Sequence, residues 1–324
     1  MVPTTLDAAE WHYGAWRNHL QTLLLLSSMA AFLALLGWLV WGREGIILLV
    51  VFGLMAMVIT PRWSPWLMMR LYGAAAISPH QAPALYQMVE VLARRAHLKS
   101  APVLFYIPSQ LLNAFAVGHP HRSAIAITDG LLRQLTHREL AAVLAHEMSH
   151  VKSRDLRVMG LADLISRFTH ALSLAGQLLL LINLPMIFFS EVNINWFLIA
   201  LLIFAPTFSG LAQLALSRTR EYDADLNAVR LTGDPEALVS ALRKMEQIQG
   251  RWLEQIMVRR QKVPDPSILR THPATEDRVE RLMRLKLENG DRQFTGELGH
   301  MDYGSFLRHR DVPRPRRRIH GLWF

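Results

Sequence analysis

His146-Glu147-Met148-Ser149-His150-Val151-Lys152-Ser153-Arg154-Asp155 is the stretch from which the rest of the chain can be read. Its first five residues have the form H-E-x-x-H. On an α-helix, positions four apart return to nearly the same azimuth, because about 3.6 residues make a turn. His146 and His150 can therefore aim two imidazoles at one metal ion, zinc by the chemistry of the pattern. Glu147, about 100° around the helix, can reach a water beside that ion. Two histidines on an ordinary amphipathic helix are the bland alternative. The chain around the motif must supply a third ligand and a substrate groove, and must account for long apolar runs on both sides.

The chain has 324 residues, 51% of them hydrophobic and 19% charged, so apolar and charged material must be segregated. It has no cysteine, which excludes disulfides, thiol catalysis and cysteine-based zinc sites together. The net charge of +9 is not spread over one basic face. Much of it lies in the C-terminal tail and beside apolar segments, which points to a membrane rather than to nucleic acid.

Upstream of the motif, Gln21 to Trp41 carries no formal charge and is long enough to cross a bilayer as a helix. It is apolar on all sides, too long for a signal peptide, and followed at once by another apolar run. That run, Gly45 to Thr60, is shorter than a full span and is reached through Arg43 and Glu44. Trp63, Trp66 and Tyr72 beyond it have the character of interfacial anchors. Together these runs predict a helical hairpin. From Ser78 the chain reads as soluble. A helix is expected over Ala82–His97 and strands over Val103–Ile107, Asn113–Val117 and Ala124–Thr128, with a His119-Pro120-His121-Arg122 turn between the last two. A short helix follows from Asp129-Gly130. Thr136 and Glu139 then have capping-box spacing at the start of the motif helix.

Downstream, the helix pattern is expected to continue past Asp155. Thr169 to Ser190 and Val192 to Ser217 lack formal charges and are separated by Glu191, giving a second membrane hairpin. Asn183, Pro185, Asn193, Asn195 and Pro206 interrupt it and leave a partly re-entrant form open. Lys152, Arg154, Arg157 and Arg167 precede this hairpin, and Arg218 and Arg220 follow it. The positive-inside rule then places both termini and the motif in the cytoplasm. Asp234-Pro235 opens a further helix to Ile248, Pro264-Asp265-Pro266 marks a loop, and Thr275 to Leu287 is a charged amphipathic helix stopped by Asn289-Gly290. The tail from Arg308 is rich in arginine. Anionic-lipid contact and simple solubilisation are both open for it.

The third ligand is sought in Ser217-Arg218-Thr219-Arg220-Glu221-Tyr222-Asp223-Ala224-Asp225. Glu221 and Asp225 share a helical face, so Glu221 suits a His/His/Glu zinc site. Asp225 could then accept the outer N–H of a ligating imidazole, while Asp223 competes as ligand.

With these residues in place the chain resembles the HtpX-type membrane zinc peptidases, the family that also includes the CAAX prenyl endopeptidases. The resemblance rests on four pieces in order: Asn113–Gly118, Leu140–His150, Ser217–Asp225 and Thr271–Arg278. It implies a mainly α multi-pass membrane protein with a small β-sheet and a gluzincin-like cytoplasmic zinc peptidase domain. One Zn2+ is expected per chain, held by His146, His150 and Glu221, with Glu147 as general base and Asp225 behind a ligand. By the same resemblance, Asn113, Ala114, Phe115 and Ala116 would form the edge that binds a substrate strand, and His272 would act on the oxyanion. A buried strand and a turn histidine are the alternatives.

The expected organisation is a first hairpin within 1–77, a catalytic part within 78–168, a second hairpin over 169–217, a second catalytic part over 218–290 and a basic tail over 291–324. The expected activity is hydrolysis of peptide bonds in protein or peptide substrates, in particular misfolded or damaged membrane proteins, at the cytoplasmic face of the inner membrane. A CAAX-type peptidase acting on lipidated tails, and a membrane scaffold without activity, are the competing functions.

Overall fold

A chain with apolar runs this long must satisfy its backbone polar groups within each run, and helices do so. The computed structural model describes residues 8–59, 69–70, 73–182, 195–258 and 275–288. Trp63, Trp66 and Tyr72, the loop around Pro264-Asp265-Pro266, His272, the Asn289-Gly290 stop and the basic tail all lie outside the described residues. The elements are α1 (Ala8–Ile59), β1 (Ala75–Ala76), α2 (Pro83–Arg95), β2 (Val103–Ile107), β3 (Ala114–His119), β4 (Arg122–Thr128), α3 (Asp129–Gln134), α4 (His137–Ser153), α5 (Asp155–Ile182), α6 (Trp196–Thr232), α7 (Pro235–Val258) and α8 (Thr275–Glu288). They fall into two units. One is built on Trp63–Leu156 and Arg220–Phe324 with Met1–Ala15, the other on Trp16–Arg62 and Arg157–Thr219.

The second unit is the apolar one, and among the described residues three helices that run through it are long and apolar enough to cross a membrane. Leu24, Leu54, Leu181, Phe204 and Leu211 stand exposed on them, a surface suited to lipid rather than water. α1 leaves helical geometry at Trp41 and Gly42, where Gly42 has φ 61 and ψ −142, a conformation that favours glycine. A side chain on Gly45 would come within 2.1 Å of the Gly37 carbonyl oxygen. Eight residues along a straight helix span about 12 Å, so the chain turns back on itself here.

α5 and α6 also form an antiparallel pair. Ser166 Oγ lies 2.9 Å from Ser209 Oγ, and seven residues further along α5 Ser173 Oγ donates to the Leu202 carbonyl, seven residues back on α6, at 2.6 Å. Pro206 does not interrupt the pair, as the sequence led us to expect. It sits inside α6. A proline has no N–H for the carbonyl four residues earlier, here that of Leu202, and Ser173 supplies the missing donor. Asn183, Pro185 and Asn193 lie outside the described residues.

The first unit is built on a four-stranded sheet of order β1-β2-β4-β3. β2 and β4 are parallel, while β1 and β3 pair antiparallel to β2 and β4 respectively. β4 alternates its side chains, as a strand buried on both faces must. Ile125 and Ile127 join the core with Leu92 of α2 and Leu144 of α4, while Ala124 and Ala126 meet Met69 and Phe105 on the other face. β3 and β4 run two residues further than expected at their joining end, pairing His119 with Arg122 across a Pro120-His121 turn. β3 stands at the edge of the sheet.

Candidate metal centre

The motif helix α4 starts where its sequence says it should. Thr136 Oγ1 accepts from the Glu139 amide, and Glu139 Oε2 accepts from the Thr136 amide at 2.8 Å, completing the capping box. Glu139 also accepts from Ser240 Oγ at 2.5 Å and Lys244 Nζ at 2.8 Å on α7, which fixes the angle at which α4 leaves its cap. Burial opposes the charge on Glu139. The bonds from Lys244, Ser240 and the Thr136 backbone outweigh burial and hold its carboxyl below the ordinary range.

The other end of α4 departs from expectation. The helix does not continue through Asp155. It closes at Arg154, which takes the left-handed conformation with φ 56 and donates its N–H to the carbonyls of His150 and Val151. The break turns Asp155 back towards His150, and its Oδ2 lies 2.7 Å from His150 Nδ1. Arg220 of α6 donates Nε to the other oxygen, Asp155 Oδ1, at 2.6 Å. Arg220, read from sequence as a charge at the membrane surface, is buried in this ion pair. Asp223, the competing third ligand, points to Arg220 Nη2 at 3.3 Å.

His146, His150 and Glu221 are brought together. The Nε2 atoms of the two histidines are 3.1 Å apart, and Glu221 carboxylate oxygens lie 3.4 Å from His146 Nε2 and 3.6 Å from His150 Nε2. Among the described residues these three form a cluster whose ligand atoms all lie within 4.8 Å of one another. Asp225 Oδ1 is 3.0 Å from His146 Nδ1, close but bent away from good hydrogen-bond alignment. Arg278 of α8 holds that carboxylate with two bonds, Nε at 2.7 Å and Nη2 at 2.6 Å, and reaches Glu221 Oε2 with Nη1 at 3.2 Å.

This donor set fits a tetrahedral cation. When both Nδ1 atoms carry their protons towards the carboxylates, both Nε2 atoms can act as lone-pair donors to a cation. They face each other and a carboxylate, an arrangement that a cation held between them would satisfy. Donors bound tetrahedrally at zinc distances of about 2.0–2.1 Å lie about 3.3–3.4 Å apart, which matches the observed spacings. The carboxylates around the centre favour positive charge in it, whether a cation or a proton. Burial pushes the His146 imidazole towards its neutral form, but Asp225 and Glu221 outweigh it and raise its pKa to about 10. Burial likewise opposes the charge on Arg278, and Asp225 and Glu221 raise its pKa and keep it charged.

Glu147 faces the sheet edge rather than the histidine pair. Its Oε2 accepts the Ala116 N–H at 3.0 Å, so that N–H points off the edge of β3 and not into the ladder with β4. Of the other residues expected at this edge, Ala114 is buried and Phe115 is half-buried against Val117 and Ala126. Asn113 lies just before the strand and exchanges backbone bonds with Thr128, its N–H donating to Thr128 Oγ1 and its carbonyl accepting from the Thr128 amide. Asp155, Arg220 and Arg278 did not emerge from the sequence reading. Asp155 closes the motif stretch, Arg220 precedes Glu221 and Arg278 ends the Thr271–Arg278 piece, but nothing in local spacing pairs residues 53 or 65 positions apart.

A family model described as "Peptidase family M48" matches residues 79–286. A "Protease HtpX homolog" of Pyrococcus abyssi is 34% identical over 302 residues, which covers 86% of this chain and 98% of that protein. Another from Burkholderia multivorans is 32% identical over 286 residues, covering 83% and 97%. Among solved structures, that of S. mikatae Ste24p aligns with a TM-score of 0.45 and 21% identity, covering 83% of this chain and 66% of that one.

Proposed function

The chain belongs to peptidase family M48, and from that premise we propose that it is a zinc-dependent membrane endopeptidase acting at the cytoplasmic membrane face. The observation that carries this reading is the convergence of His146 Nε2, His150 Nε2 and Glu221 at spacings of 3.1, 3.4 and 3.6 Å, with a carboxylate behind each imidazole. Zinc bound there would supply Lewis acidity, lowering the pKa of a water and polarising the scissile carbonyl. Glu147 takes the proton from the attacking water and delivers it to the leaving amine nitrogen. Ala116 holds that carboxylate through its N–H. The rest of the open β3 edge offers backbone groups to an extended substrate, which adds as another strand. Asn113 to Ala116 are the contacts we assign to it. His272 is assigned to the oxyanion on the family resemblance.

The assignment to the cytoplasmic face of the inner membrane rests on Lys152, Arg154, Arg157 and Arg218, which flank the apolar stretches, with Arg220 now withdrawn into its ion pair. Glu221 lies four residues, about 6 Å of helical rise, beyond the apolar run ending at Ser217. A site so near the end of a membrane helix suits cytoplasmic segments of membrane proteins. Misfolded or damaged membrane proteins, and so a role in quality control under stress, are the substrate class we propose.

Glu147→Gln tests the reading. The purified wild type should bind one zinc per chain and cleave an unfolded membrane-protein substrate. The variant should keep the zinc and lose activity by a factor of roughly 10^2–10^4. Cleavage that persists in the variant overturns the assignment, as does a wild type that binds no zinc.

A further inference from the structure

Each histidine of the centre faces a carboxylate that an arginine grips, supplied by a different part of the chain. His146 faces Asp225, which Arg278 grips from α8. His150 faces Asp155, which Arg220 grips from α6. The first carboxylate is legible in the sequence, one helical turn after Glu221. The second is reached only because α4 breaks at Arg154. We infer that Asp155 and Arg220 are positioning residues for His150, forming a second carboxylate–histidine support that fixes this ligand towards the metal. The inference rests on the zinc-peptidase reading of the centre.

Four observations carry it. Asp155 Oδ2 lies 2.7 Å from His150 Nδ1, a distance that commits that nitrogen to carry the proton and leaves Nε2 free to face His146 Nε2 at 3.1 Å. Such outer partners set the tautomer and orientation of a ligating imidazole and raise its basicity. Both Asp155 and Arg220 are buried, so their bond is neither a surface ion pair nor one weakened by water. Arg220 uses two nitrogens on Asp155 Oδ1, with Nε at 2.6 Å, which directs Oδ2 at the histidine. Finally, the residue that permits this geometry is strained. Arg154 adopts a left-handed conformation that L-residues other than glycine visit reluctantly, and that turn brings Asp155 back to the helix end.

The pair has a second consequence. Arg220 directly precedes the ligand Glu221, and Asp155 lies five residues after the ligand His150. Their bond ties together the two chain segments that supply the ligands. Asp225 and Arg278 add the third segment, α8, in the same manner.

Asp155→Asn is the informative change because it keeps the shape. The amide would have to present its NH2 to one of two donors, the His150 N–H or the Arg220 guanidinium, so one contact becomes donor against donor. Zinc affinity of the purified full-length protein in detergent, measured by competition with a chelating indicator, should fall about 10- to 100-fold. The visible absorption of the cobalt-loaded protein should also change, since those bands report ligand geometry. A purely structural ion pair would lower the melting temperature and leave both readouts alone. Zinc affinity within about twofold of wild type with unchanged cobalt bands therefore overturns the inference. Should Asp155→Asn fail to fold, Arg220→Lys provides the same test. It keeps the charge and loses the two-nitrogen grip, so affinity should fall several-fold, and unchanged affinity overturns the inference. A wild-type protein that binds no zinc is a different failure, visible before any variant is made, and it removes the reading of the centre itself.

Discussion

The two units of the chain bury polar side chains in opposite ways. In the metal-site unit the buried polar groups are mostly charged and paired: Asp155 with Arg220, Asp225 with Arg278, Glu139 with Lys244. In the apolar unit they are mostly neutral hydroxyls: Ser166 with Ser209 and with the half-buried Gln213, and Ser173 with the Leu202 carbonyl. The difference follows from what surrounds each. An uncompensated charge is costly in any interior and more so among lipid-facing helices, where a serine can satisfy a stray carbonyl without bringing a charge. The metal-site unit accepts that cost because a cation needs anionic and imidazole ligands held by further charges. Disturbing a pair with both charges buried, as in Asp155–Arg220 and Asp225–Arg278, should therefore do far more than disturbing a hydroxyl of the apolar unit. Disturbing the half-exposed Glu139–Lys244 pair should not.

The largest effect should come from Arg278→Met, which leaves Asp225 and Glu221 buried beside each other without their guanidinium. Breaking a buried ion pair from one side costs about 3–5 kcal/mol. We expect a loss of this size in denaturant unfolding of the metal-free protein, with zinc partly restoring it. A cost under about 1 kcal/mol would mean that the charges of this unit count no more than the hydroxyls of the other. Next comes Ala116→Pro, which removes the N–H that Glu147 accepts. That N–H points off an edge strand, where proline is tolerated. A hydrogen bond to a charged group contributes about 1.5–3 kcal/mol, so kcat/KM should fall roughly 10- to 100-fold with zinc content unchanged. Unaltered kinetics would show that the base is oriented by something else.

How much of this could be read beforehand also divides along the two units. The motif helix, its capping box, Glu221 and Asp225 one turn apart, and the long apolar helices were legible because each is written in local periodicity or length. The turn at Gly42 was implied by Arg43 and Glu44 between two apolar runs. The break at Arg154 was not legible, since an arginine gives no sign of a left-handed conformation and only tertiary contacts hold it there. Asp155, Arg220 and Arg278 were missed for a related reason: their partners are distant in sequence, and a charge read alone looks like a solvated or membrane-flanking one. Pro206 misled in the other direction, because the donor that repairs the helix around it comes from another helix.

That repair supplies a smaller test. Ser173→Ala removes the donor to Leu202 and the acceptor for Gln177. Hydrogen bonds between membrane helices contribute about 0.6–2 kcal/mol, so thermal unfolding in detergent should move by roughly 1 kcal/mol, with zinc binding and cleavage unchanged. Loss of zinc in this variant would mean that the hydroxyls of the apolar unit govern the centre as its own charges do.

The smallest effect should separate the units by pH. Glu139 has its carboxyl held below the ordinary value of 4.5, with Lys244, Ser240 and the Thr136 backbone overcoming burial. A carboxyl depressed in the folded state binds fewer protons than in the unfolded chain. Its stabilisation is therefore complete above about 4.5 and is lost as pH falls through the lower folded value. Lys244 is partly exposed and water screens the pair, so the contribution should stay under about 1 kcal/mol. Glu139→Gln should accordingly lower stability at neutral pH and flatten its fall on acidification, since the amide has no proton to gain. Ser173→Ala should lower stability by the same amount at every pH, leaving the slope of the parent. If Glu139→Gln keeps the parent slope as well, the acid sensitivity belongs to other carboxylates of the metal-site unit, and the capping box contributes only its neutral hydrogen bonds.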